Sequence, residues 1–158
     1  MIKKLRIPKV RVKILEETKK RIDELANVSI KIDDGEVTIT GDSLNVYIAE
    51  RVVKAIGRGF KDDAFLLLDE NYVLYVIPIS KNKNTLVRMR GRLIGTHGKI
   101  KERIEKMTNT KISIYGKTVS IIGKGDDVER ARHAVQMILD GRKHATVFVF
   151  LEKTKRVI

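Results

Sequence analysis

The chain has no cysteine and no tryptophan, only two prolines, and aromatic side chains at 5% of its 158 residues. Without cysteine there can be no disulfide, no thiolate zinc or iron–sulfur site and no thiol catalysis. So few rings argue against a platform that holds single-stranded nucleic acid by stacking bases on exposed aromatics. No apolar run approaches the roughly 18 residues of a membrane span, and the opening MIKKLRIPKV lacks the apolar core of a signal peptide. A soluble, cytoplasmic protein with no membrane partner is expected. Negative charge is scarce as well: 33 Lys and Arg stand against 20 Asp and Glu, a net of +13.

That excess calls for a polyanionic partner, and its distribution says where. Residues 1–80 hold 14 basic and 13 acidic side chains, a net of +1, whereas residues 81–158 hold 19 and 7, a net of +12. With 42% apolar residues the chain can still bury a real core.

The sequence repeats itself at an offset of 82. Glu17–Gly41 lies without gaps on Lys99–Gly123, and the register runs on to Gly59 and Gly141, with Ile22/Ile104, Ile30/Ile112, Ile32/Ile114, Val37/Val119 and Ala49/Ala131 identical. Each copy predicts a helix, two alternating strands around a tight turn, and a longer helix. In the second copy the first helix should turn Ile100, Ile104 and Met107 inward, answered by Ile22 and Leu25 in the first. The strands are KISIY and TVSII around Gly116-Lys117, matched by SIKI and EVTIT around Asp33-Asp34-Gly35. The last helix should be capped by Asp126 or Asp127 and stop at Gly141; its counterpart should stop near Gly57 or Gly59.

Upstream, LRIP (Leu5–Pro8) resembles YVIP (Tyr75–Pro78) at an offset of only 70, so the second copy carries extra residues before its shared helix. They fall within ISKNKNTLVRMRGRLIGTHG, whose GTHG break is flanked by Ile94 and Ile100. Phe60–Asn71 is expected to be a short connecting helix, and HATVFVFLEKTKRVI is open between strand and helix.

Strand, helix, glycine-framed break, helix, strand, strand, helix, with LIGTHGKIKERIEKMTNTKISI at its centre, resembles the type I KH domain. A degenerate first copy before an intact, basic second one resembles the small archaeal members of the Pno/Dim family of two-KH small-subunit ribosome assembly factors. The resemblance implies an α+β fold of two tandem type I KH-like domains, each a three-stranded sheet with helices packed on one face. Boundaries would be 1–59 for the copy without GxxG, 60–71 for the connector, 72–143 for the GTHG copy and 144–158 for a C-terminal extension. In the first copy Lys13, Ile14, Leu15 and Glu16 fall opposite the loop, so no phosphate cradle carries over there.

A loop between two helices points free N–H groups and a positive helix end at one spot, which suits phosphate, and KH domains clamp about four nucleotides of single strand in this way. Gly95 and Gly98 would let a sugar–phosphate backbone approach while Thr96 and His97 face solvent. Leu93, Ile94 and Ile112 are candidates for an aliphatic groove under the bases, with Lys111 or Ser113 at its edge. Arg88, Arg90, Arg92, Lys99, Lys101 and Arg103 would supply attraction without sequence specificity. Gly91, inside the preceding helix, has no explanation in local propensity.

The implied role is binding the 3′ region of small-subunit ribosomal RNA during maturation. Implied partners are a PIN-domain rRNA-processing nuclease and, in archaeal relatives, the alpha subunit of translation initiation factor 2. A general KH cofactor of RNA degradation or translation is the rival within the binding class, and a nuclease the rival outside it. Against the nuclease, His97 has no nucleophile or carboxylate partner at a telling spacing, and the pairs Asp33-Asp34 and Asp62-Asp63 read as a turn and a helix start. No enzyme activity, cofactor or metal is expected.

Overall fold

The computed structural model describes residues 1–155; the last three residues of the expected extension lie outside the described residues. Two compact units divide the chain, Met1–Tyr72 and Val73 onward.

In the first unit, β1 (Ile2–Arg6) is followed by α1 (Val12–Ala26), the hairpin β2 (Ser29–Asp33) and β3 (Glu36–Thr40), and α2 (Ser43–Gly57). The strands form an antiparallel sheet in the order β1-β3-β2, with Ile30 opposite Ile39 and Ile32 opposite Val37. Two helices pack on it, burying Leu15 and Ile22 from α1 and Val46, Ala49, Val53 and Ile56 from α2. Leu25 does not join them, being 58% exposed. In α1 the inward stripe is Leu15, Thr18, Ile22 and Ala26, a spacing of three and four that leaves position 25 on the outer side. The expected connector helix is a 3-10 turn, Asp62–Leu68, packed on α2 through buried Ala64, Phe65 and Leu67, with the Arg21 guanidinium 3.8 Å above the Phe65 ring.

The second unit runs β4 (Tyr72–Pro78), α3 (Lys83–Ile94), α4 (Lys99–Thr108), β5 (Lys111–Tyr115), β6 (Thr118–Lys124), α5 (Gly125–Leu139) and α6 (His144–Lys153). Its sheet order, β4-β6-β5, repeats that of the first, and Ile112 opposite Ile121 with Ile114 opposite Val119 repeats the register at the offset of 82. Asp126 and Asp127 lie in the first turn of α5 rather than at its N-cap, which is Lys124. The ambiguous tail is helical from His144 to Lys153 because Val147, Phe148 and Leu151 share one face and are buried in the core of this unit; tertiary burial overrides the strand preference of its β-branched residues.

Polar devices are duplicated along with the apolar plan. Asn27 and Asn109, both at φ 54°, end α1 and α4 in the left-handed conformation. Four residues before each, Asp23 and Glu105 accept a hydrogen bond from the N–H that opens the core of the next strand, Ile30 at 3.0 Å and Ile112 at 2.8 Å. Each carboxylate also meets a lysine one turn back, Lys19 at 3.0 Å and Lys101 at 3.4 Å.

Candidate nucleic-acid interface

Helix α3 starts where the Asn82 side chain accepts from the Thr85 N–H at 3.0 Å. It buries Met89 and Leu93, and ends where Gly95 adopts φ 75°, ψ 174°. That conformation is essentially restricted to glycine. A Cβ here would sit 2.3 Å from Ile100 Cγ1 and 2.9 Å from the Ile100 nitrogen, so Gly95 serves first to let α4 begin tight against the end of α3. Gly98, at φ 72°, is different: a Cβ there would meet nothing within 4 Å, so only the backbone angle requires glycine and the space outside is open.

Between them Thr96 and His97 are exposed, and His97 is left-handed at φ 56°, ψ 28°. The short turn Thr96–Gly98, with His97 and Gly98 both left-handed, leads into α4, which begins at Lys99. Its N-cap is a glycine with no side-chain oxygen to satisfy the first-turn N–H groups, and its positive end opens beside the loop tip. Glu102, the acid of that turn, is paired with Lys106 at 3.0 Å.

The predicted cations stand in different situations. Arg88, Lys99 and Lys111 are exposed. Lys101 is paired with Glu105, and the Arg103 guanidinium lies 3.9 Å over the Phe148 ring of α6, held there by cation–π attraction while the residue remains exposed. Arg90 is half-buried, with its Nε out of solvent and lacking a hydrogen-bond partner. Arg92 turns away from the role expected of it: its guanidinium donates to the Ile138 carbonyl at 2.8 Å and the Arg142 carbonyl at 2.5 Å.

The aliphatic groove also needs correction, since Leu93 is 2% and Ile112 5% exposed; both are core residues that support the surface from beneath. Ile94 is half-buried and Ser113 partly so. The Gly91 position opens onto empty space, with nothing within 4 Å of a would-be Cβ. Sequence reasoning missed His144, whose Nε2 lies 2.9 Å from the Arg92 carbonyl. These partners lie 46 to 52 residues from Arg92.

The second unit, with its sheet, its glycine-framed loop and the helix opening behind it, defines a type I KH domain. Residues 73–156 match the family model of the second PNO1 domain, described as a eukaryotic type KH-domain (KH-domain type I). A KH domain-containing protein of Methanocaldococcus jannaschii is 41% identical over 98% of this chain and 74% of its own length. The pre-rRNA-processing protein pno1 of Aspergillus fumigatus is 28% identical over 92% of this chain, which spans 60% of that longer protein. Dim2p from Pyrococcus horikoshii superposes with a TM-score of 0.91 at 38% identity, covering 97% of this chain and 99% of that one. A complex of a/eIF2alpha, aDim2p and rRNA from the same organism contains a chain that matches with a TM-score of 0.92 at 38% identity, covering 98% and 94%. The chain belongs to the PNO1/Dim2p family of KH proteins.

Proposed function

We propose that this protein binds single-stranded RNA through the GTHG loop of its second unit, and that the RNA is the 3′ region of small-subunit ribosomal RNA during ribosome assembly. The observation that carries this is the loop itself: a solvent-facing tip, Thr96-His97, beside an uncapped helix N-terminus, in the half of the chain with a net charge of +12. The target follows the relatives, one a pre-rRNA-processing protein and another a member of an rRNA complex.

On this reading the chain is a tandem of two KH-like domains, the first (1–59) having lost its loop inside a continuous α1. The second (72–143) holds the RNA, and 144–158 extends it. Thr96, His97, Gly98 and Lys99 meet the phosphates, Ile94 lines the base groove, and Arg88, Arg90, Lys101, Arg103 and Lys111 supply the surrounding field. The protein acts in the cytoplasm by binding, without catalysis, alongside a PIN-domain nuclease and the alpha subunit of translation initiation factor 2. The complex of a relative with a/eIF2alpha supports the last partner. Among the described residues no helix is long and apolar enough to cross a membrane and no cluster of metal-ligating side chains occurs.

The test is the double substitution Thr96→Asp with His97→Asp, which keeps both glycines and Ile100 but places two carboxylates where phosphates would sit. Binding of a fluorescent RNA carrying the 3′-end sequence should weaken at least about tenfold, roughly 1.4 kcal/mol, with little change in Tm. Parent-like binding by the folded variant would refute the loop as the RNA site. Cleavage of the same RNA by pure protein with magnesium would refute the binding-only reading.

A further inference from the structure

Arg92 has a counterpart where no RNA loop exists. In the first unit Arg11, at the entrance to α1, donates from Nε to the Ile56 carbonyl at 2.8 Å and from Nη2 to the Phe60 carbonyl at 2.7 Å. Shifted by the repeat offset of 82, these two acceptors become Ile138 and Arg142, the two carbonyls that accept from Arg92. The helix ends they belong to are also alike. Phe60 N bonds to Ala55 O and Gly59 N to Ile56 O, as Arg142 N bonds to Met137 O and Gly141 N to Ile138 O. Gly59 and Gly141 are both left-handed, at φ 104° and 88°. This is the Schellman arrangement, and in both units an arginine at the end of a neighbouring helix, Arg11 before α1 or Arg92 in the last turn of α3, bridges the same two carbonyls with one planar fork, one of them already bonded within the cap. The arginines themselves are one residue out of the ungapped register, since Arg92 pairs with Val10, as befits a site next to the length difference between the copies.

A contact kept in the unit that lacks both the glycine loop and the positive charge is not kept for RNA. In the second unit it acquires a further consequence, because Arg92 lies three residues before Gly95, in the last turn of α3. That turn is held twice: the Arg92 side chain grips the end of α5, and the Arg92 carbonyl meets His144 Nε2 at the start of α6 at 2.9 Å. The position of the loop entrance relative to α4 is thereby referred to the α5–α6 corner.

We propose that Arg92 is a positioning residue that sets the GTHG loop for binding, together with His144, rather than one of the cations that meet phosphate. The role rests on the reading of the loop as the RNA site. An arginine that only fixes the loop changes the fraction of molecules ready to bind; if loss of the clamp leaves about a tenth of them competent, affinity falls about tenfold. A phosphate contact would instead alter the salt dependence, by about 0.7 in the log–log slope for a single strand.

The experiment compares Arg92→Gln, Arg92→Lys, His144→Ala and Arg11→Gln in the full chain. The probe is a fluorescent single-stranded RNA about 12 nucleotides long, enough to span the four that a KH loop holds. Arg92→Gln should bind about tenfold more weakly with an unchanged slope, and the amide resonances of Gly95 and Gly98 should move. Arg92→Lys should be as weak despite its retained charge, because one ammonium cannot span both carbonyls. His144→Ala should weaken binding in the same sense, keeping the test alive should an Arg92 variant fail to fold. Arg11→Gln should lose a similar amount of Tm while binding RNA like the parent. Full affinity in Arg92→Lys with a flatter slope in Arg92→Gln would make Arg92 a phosphate contact and overturn the proposal while leaving the loop reading intact. So would parent-like affinity in Arg92→Gln despite a lower Tm, which would make the clamp structural only. If instead Thr96→Asp with His97→Asp binds like the parent in the same assay, the loop reading itself fails, and this role with it.

Discussion

Gly95 and Gly98 look equivalent in the motif, yet alanine at the two positions should have very different consequences for stability. At Gly95, φ 75° with ψ 174° lies in a region closed to side chains, at a cost on the order of 1–3 kcal/mol. The added methyl would also lie 2.3 Å from Ile100 Cγ1, and overpacking of this kind adds about 1–3 kcal/mol. At Gly98, φ 72° with ψ 12° is ordinary left-handed helix and the methyl meets nothing. The cost there is about 1–2 kcal/mol; the reduced entropy of the unfolded chain offsets both variants alike by about 0.4–1 kcal/mol and cancels in the comparison. Taking the middle of each range, Gly95→Ala should therefore lose about 2.5 kcal/mol more than Gly98→Ala, or on the order of 10–20 °C in Tm for a unit of this size. Thermal unfolding followed by circular dichroism reads the difference directly. Ile100→Ala, which removes the clashing Cγ1, should recover part of the loss in the double variant. Equal Tm values for the two alanine variants would refute the packing explanation of Gly95.

Replacing both Arg88 and Lys99 by Gln should lower the salt slope of RNA binding by about 1.4, twice the single-strand value per phosphate, for any RNA sequence; an unchanged slope would remove both from the interface. Leu151→Ala should cost about 2–5 kcal/mol because the side chain is fully buried, whereas Val149→Ala, at 54% exposure, should change urea stability by no more than about 0.5 kcal/mol; similar losses at both positions would contradict the inward face assigned to α6. Glu105→Gln keeps an acceptor for the Ile112 N–H but loses its charge, and should cost about 1 kcal/mol, as should Asp23→Asn against Ile30. A loss in only one unit would show that the two corners are not equivalent.

Periodicity, hairpin turns and the glycine loop were legible because each is written within some 25 residues. The offset of 82 then carries the shared helix, both hairpin strands and the helix after them from one copy onto the other, including the sheet register of Ile112 with Ile121. What escaped was decided at long range. Arg92 reads as one more cation in a basic helix, since nothing local announces that its acceptors are carbonyls at 138 and 142. Leu25 aligns with Met107, which points it inward, but Met107 is itself only partly buried, and in the first unit Ala26 takes the buried place. Adjacency to the loop points Leu93 and Ile112 to a groove, whereas both are buried in the core that the helices and sheet of this unit share. The tail's helical state likewise waits on the core it covers.

The carboxylates at Asp23 and Glu105 each close a ring of only seven residues, to the N–H of Ile30 and of Ile112. Short rings close with little loss of chain entropy and favour rapid folding, so the helix–strand corner can form in either copy before its distant strand, β1 or β4, arrives. Each half then carries its own starting point for folding. Lys13 to Glu16, the residues that align with the glycine loop, lie within α1 and outside the ring that Asp23 closes, so the two units can differ there without differing at the corner.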